Sequence, residues 1–169
     1  MPLSSSLSIA ASAELSAALD LGTARAPVNV RRAVSLASGT AAGKADKVFS
    51  DRRTIAASSS EDLDLVGVLL DAFGTAITFA RIKGLIVSAA ATNSNNVVVG
   101  AASGSPWAAL LGATHTLTLR PGASFAVMAG AADAIGYAVT ATTADLLKVA
   151  NSGAGTSVSY DIVIIGASA

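Results

Sequence analysis

Apolar and polar positions alternate through much of this chain, and the alternation is mostly that of strands. Ser157-Val158-Ser159-Tyr160-Asp161-Ile162-Val163-Ile164-Ile165 alternates at first and then turns apolar on both faces, as a strand entering the middle of a sheet does. Thr114, Thr116 and Thr118 alternate with His115, Leu117 and Leu119, which predicts a half-buried strand. Arg120-Pro121-Gly122-Ala123 then reads as a type II turn, with Phe125-Ala126-Val127-Met128 returning as the partner strand. Thr75 to Ser88 is β-branched and aromatic and sets Ile77, Phe79, Arg81 and Lys83 on one face. Val97-Val98-Val99 follows the Asn93-Ser94-Asn95-Asn96 turn cluster, and Tyr137–Ala141 and Leu146–Ala150 complete the set before the loop at Asn151–Gly155. One short helix is expected: Ser105 as its cap, Pro106 at its first position, Trp107 to Leu111 within it and Gly112 at its end.

Before residue 60 the signal is weaker. Ala13 to Leu21 places Leu15, Ala18 and Leu19 at helical spacing, yet Leu15, Ala17, Leu19 and Leu21 keep a period of two. Ser-rich flanks and Gly22 favour a strand. Val28-Asn29-Val30 and Ala33–Leu36 suggest another strand, with flexible links at Ser38–Lys47 and Ala56–Ser60. Many short strands with turns every 8–12 residues predict an all-β antiparallel sandwich, jelly-roll-like, with one helix. Residues 1–60 would supply strands or an arm, exchanged with or reaching a neighbouring subunit, and 61–169 the sandwich core, in one domain overall.

Composition sharpens this. Ala, Ser, Gly and Thr number 38, 21, 15 and 13 in 169 residues, and aromatic residues make up only 4%. Eleven basic residues balance eleven acidic ones, so no global field draws nucleic acid or an anionic membrane. The absence of Cys and the single His exclude thiol chemistry, disulfides and sites built from several imidazoles. No run reaches about 18 apolar residues, and the opening Met-Pro-Leu-Ser-Ser-Ser has no basic signal segment. Residues 84–169 carry only Arg120, Asp133, Asp145, Lys148 and Asp161 as charges. That half is expected to be covered by copies of itself or a partner, against the simpler reading that Ser, Thr and Asn keep it wet.

Candidate chemistry is thin. Glu61, Asp62 and Asp64 could offer oxygens to Ca²⁺, but the spacing lacks a calcium-loop pattern, and Asp62 and Asp64 opposite Leu63 and Leu65 read as the wet side of a strand. His115 has no Gly-x-Ser-x-Gly elbow to serve and reads as structural. The doublets Arg31-Arg32 and Arg52-Arg53, with Lys44 and Lys47 between them, suit either intersubunit salt bridges or a solvated face. Trp107 suits core anchoring or an interface hot spot better than ligand stacking. No catalytic residue, cofactor or metal is expected.

Several segments resemble small structural proteins of tailed bacteriophages. They are Asp51-Arg52-Arg53-Thr54-Ile55-Ala56 leading into Glu61-Asp62-Leu63-Asp64-Leu65, Phe79 to Val87, Leu119-Arg120-Pro121-Gly122 and Gly136-Tyr137-Ala138-Val139-Thr140. The ending, Leu147 to Gly153 and Tyr160 to Gly166, carries the resemblance furthest, and together it spans about residues 50–169. It implies a non-enzymatic virion component: a homo-oligomer, trimer or higher, with other virion proteins such as the major capsid protein as partners. A capsid decoration or cement protein is the leading role, with Arg31, Arg32, Arg52, Arg53 and Trp107 as its interface residues. A neck, collar or tail component is the alternative, and a carbohydrate-binding module for host glycans comes from another class.

Overall fold

The first two strands form a ribbon far longer than the sequence pattern suggested. In the computed structural model, which describes residues 2–169, β1 (Ser5–Leu19) pairs antiparallel with β2 (Gly22–Ser38) around Asp20-Leu21, in unbroken register from Ser5 opposite Leu36 to Leu19 opposite Gly22. The strand expected over residues 28–36 is present, as the second half of β2. Gly22 ends nothing; it begins the return strand. Pro27, which has no N–H, is tolerated because the outer edge of β2 has no neighbouring strand at that point. β3 (Lys44–Ala45) pairs parallel with the end of β2.

The remaining strands are β4 (Lys47–Ile55), β5 (Ser60–Asp64), β6 (Val66–Leu70), β7 (Ala76–Thr78), β8 (Arg81–Ala89), β9 (Val97–Gly100), β10 (Thr116–Leu119), β11 (Ser124–Met128), β12 (Tyr137–Ala138), β13 (Leu146–Asn151) and β14 (Val158–Ala167), with helix α1 (Ala108–Leu111) after β9. One sheet runs β10-β9-β13-β5 and the other β11-β8-β14-β4, all neighbours antiparallel. With these eight strands lettered B to I in chain order, the sheets read F-E-H-C and G-D-I-B, the strand order of a jelly roll. The expected all-β sandwich is therefore present. The division between arm and body falls near residue 46, not 60, because Lys47–Ile55 is an edge strand of the sandwich.

Strand alternation builds the core. Tyr160, Ile162 and Ile164 of β14 point inward with Leu85 and Val87 of β8, against Val97, Val99, Leu147 and Val149 of the facing sheet. Each large side chain buried this way contributes about 1.5–3 kcal/mol relative to exposure. β14 lies between β8 and β4, which is why its sequence turns apolar on both faces: Val163 and Ile165 point outward but lie under the arm. There Leu7 and Leu36 are buried with Ala45 and Ile165, and Leu3, Val34, Met128 and Val163 pack around them. Gly84 makes room for this seat, since a Cβ there would push on the tip of the Leu7 side chain and force it to shift.

Three local expectations are corrected. β11 does not pair with β10; it pairs with β8, while β10 pairs with β9. The Arg120–Ala123 turn forms, with Gly122 at φ 77° and Ala123 N–H donating to Arg120 O, but it carries the chain from one sheet to the other. Thr75–Ser88 is two strands broken at Phe79-Ala80. Ser105 does not cap the helix: the cap position is Trp107, and the Ser105 hydroxyl donates to Thr142 O.

Candidate functional site

The body offers polar groups that are mostly committed to one another. Arg53 on β4 donates to Glu61 (2.7 Å) and to Asp51 (2.8 Å), and the Tyr160 hydroxyl donates to the other oxygen of Glu61 (2.9 Å). Burial, together with the adjacent Glu61 carboxylate, drives the Tyr160 phenol well above its ordinary pKa. Hydrogen bonding to Glu61 raises Arg53 above its own. Arg52 makes a two-pronged bond with Asp161 directly across the β4–β14 pair, at 2.6 and 2.9 Å. That bond holds the Asp161 carboxyl below the usual carboxylate range. Both residues of the second basic doublet thus have partners within the chain. Arg31 and Arg32 lie elsewhere, exposed on β2 and on opposite faces of the ribbon.

The acidic cluster is dispersed in the same way. Glu61 is held by Arg53 and Tyr160, Asp64 accepts from the Val66 N–H (2.8 Å), and Asp62 is exposed opposite Lys148. Among the described residues, no three His, Cys, Asp or Glu come together as a metal site. His115 is exposed at the foot of β10, and no acidic partner is bonded to it among the described residues. Lys83 is only 1% exposed; its ammonium donates to Asp133 O (2.6 Å), and burial lowers its pKa. It pins the 130–136 loop. The Asp133 carboxylate accepts from the Ile135 and Gly136 N–H groups, which hold it below its ordinary range.

Trp107 is a core residue, not an exposed hot spot. It is 5% exposed, its indole N–H donates to Ala138 O (2.8 Å), and it meets Tyr137 edge to face at 6.4 Å. The lightly charged half exposes little large apolar surface: among the described residues only Ile135 of its large apolar side chains is exposed, and the others are buried or half-buried. The exposed large apolar surface lies mainly in the better-charged N-terminal half.

Most of that surface is on the arm. Every residue from Ser8 to Ala33 is exposed, so the ribbon projects beyond the body. Residues opposite one another in an antiparallel pair share a face. The register therefore puts Ile9, Ala11, Ala13, Leu15, Ala17 and Leu19 on one face with Arg32, Val30, Val28, Ala26, Ala24 and Gly22. The other face holds Ser8, Ser12, Glu14, Ser16, Arg25, Asn29 and Arg31. It is laced by Arg25 bonded to Glu14 (3.0 Å) and Ser12 to Asn29 (2.8 Å). The apolar face continues the strip by which Leu7, Val34 and Leu36 seat on the body, but beyond them nothing among the described residues covers it: Leu15 is 77% exposed. The sequence carried this signal as its period of two in residues 13–21; what it lacked was the pairing that put Val28 and Val30 beside those leucines. A smaller apolar patch, with Val68, Leu70 and Phe73 exposed, borders a shallow cleft of about 240 Å³ lined in part by Leu3, Val48 and Ile77.

No family model, curated protein or solved structure matches the chain.

Proposed function

We propose that this chain is a non-enzymatic structural subunit of a tailed-phage virion that self-associates, as a trimer or higher ring, and serves as a capsid decoration or cement protein. The observation that carries the reading is the arm. A jelly-roll body with a closed core bears a ribbon whose apolar face is exposed over its whole projecting length, and surfaces of that kind belong to assembly. The interior polar pairs are satisfied by one another, and the body's largest aromatic residue is spent on packing. The sequence resemblance to small phage structural proteins supplies the setting. Of the two doublets, Arg31 and Arg32 are exposed on the arm without a carboxylate partner among the described residues and are the ones free to meet an acidic lattice surface; Arg52 and Arg53 would first have to give up Asp161, Glu61 and Asp51.

Quantitative mass spectrometry of purified particles tests this. A copy number near one per major capsid protein, or near one per capsomer, is expected. A few dozen copies or fewer would move the chain to the neck, collar or tail. Absence from particles would overturn the virion reading and leave glycan binding to be tested on an array.

A further inference from the structure

Resting on this assembly reading, we infer that the apolar face of the arm is covered by the same face of a second copy, the two ribbons lying antiparallel with each tip at the other's base. A two-stranded ribbon has marginal stability alone in water, and this one has apolar side chains over six successive cross-strand pairs, from Ile9–Arg32 to Leu19–Gly22. Its own body covers only the strip before them. Pairing at the strand edges would leave the face bare, so the cover must come from above it.

The face complements itself in one direction. From base to tip its pairs are Ile9–Arg32, Ala11–Val30, Ala13–Val28, Leu15–Ala26, Ala17–Ala24 and Leu19–Gly22. Laid antiparallel, the all-alanine pair Ala17–Ala24 of one copy receives Val30 of the other, and Ala13–Val28 meets Leu15–Ala26. Laid parallel, Ala17–Ala24 faces itself and leaves a gap, which close-packed interfaces avoid. Charge points the same way. Arg32 is the only charged residue on this face, and among the described residues its guanidinium bonds only to Arg31 O. Asp20, at the exposed tip, has no hydrogen bond or ion pair among the described residues. The antiparallel arrangement brings Asp20 of each copy to Arg32 of the other, twice; the parallel one sets like charge beside like.

The area sets the size class of the contact. Six pairs at two residues each span roughly 40 Å, and two strands are about 10 Å wide, giving about 400 Å² per face. Two such faces fall below the 1,200 Å² or so of a standard stable interface. Pairing through the arms alone therefore falls in the small, transient size class and is expected to dissociate on dilution.

Sedimentation or light scattering of the full chain over a concentration series reads this directly. The wild type is expected to reach twice the mass of the variant Leu15→Glu with Val28→Glu, whatever ring the bodies form. Circular dichroism and melting of the variant should match the diluted wild type, since neither residue touches the body. Asp20→Arg or Arg32→Asp alone should weaken pairing roughly tenfold, and the two together should restore it. Equal masses for wild type and the Glu variant would overturn the proposal. Single charge reversals without effect, or a double reversal that fails to rescue, would overturn the antiparallel register. An arm that stays unpaired in solution and is protected only on particles would give the face to another protein, which also overturns it. These outcomes are separate from the virion reading, which fails only on absence from the particle.

Discussion

The arm and the body are written in the same alternating pattern and end in opposite environments. In β14, Tyr160, Ile162 and Ile164 alternate with Asp161 and Val163 and are buried between two sheets. In β1, Ile9, Leu15 and Leu19 alternate with Ser and Glu and are open to water. The difference is topological. β14 has neighbours on both edges and a sheet facing it, whereas β1 and β2 have only each other once past Leu7 and Val34. Alternation says that a face is to be buried; it does not say whether the cover lies in the same chain.

That contrast can be broken most forcefully in the core. Ile162→Ala should lower global stability by about 2–5 kcal/mol, because the cavity sits where the sandwich cannot collapse. Leu15→Ala should change the melting of dilute protein by less than about 0.5 kcal/mol. A comparable loss at both sites, measured by denaturant unfolding, would mean that the arm packs on its own body. Next in size is the junction. Gly84→Val puts side-chain atoms where Leu7 sits and should cost about 1–3 kcal/mol; hydrogen exchange should rise at Leu7, Leu36 and Ala45 and stay low along β13. Protection unchanged at Leu7 would show that the seat is not where the arm is held.

A smaller effect tests the polar network. Tyr160→Phe removes the donor to Glu61 while Arg53 still holds that carboxylate, so a loss of about 1 kcal/mol is expected. A loss several times larger would mean that the phenol organises Arg53 as well. The smallest is the acid response of the surface pair. Asp161, whose ordinary value is 3.8, is depressed in the fold by Arg52. Its stabilisation is present above that value and is lost as pH falls through the lower folded value. Arg52→Ala should therefore lower stability slightly at pH 7 and flatten the curve below about pH 4, where variant and wild type converge; a steeper acid limb in the variant would contradict the pairing.

Much of the body was legible from residues alone. The two-sided apolar run of β14, the Val97–Val99 strand, the leucines of β10 and the Pro121-Gly122 turn each declare themselves within a few positions. Pairing was not, because a tight turn between two strands fits a hairpin and a sheet-to-sheet crossing equally well, and only Val87 and Leu85 opposite Phe125 and Val127 decide it. The Tyr160–Glu61 bond joins residues 99 positions apart, beyond any local pattern. Trp107 gave no sign of its burial, since one large aromatic among alanines suits a core and an interface alike. The length of the arm was hidden by Gly22 and by serines that resemble strand ends but are the wet face of a continuous ribbon.

The most direct test of the contrast is amide hydrogen exchange of the whole chain at two widely separated concentrations. In the concentrated sample, amides of residues 8–33 should be protected; on dilution they should exchange rapidly, while β8 and β14 keep their protection unchanged. Arm protection that is the same at both concentrations, whether high or absent, would contradict the claim that this face is bare within the chain and covered by another copy.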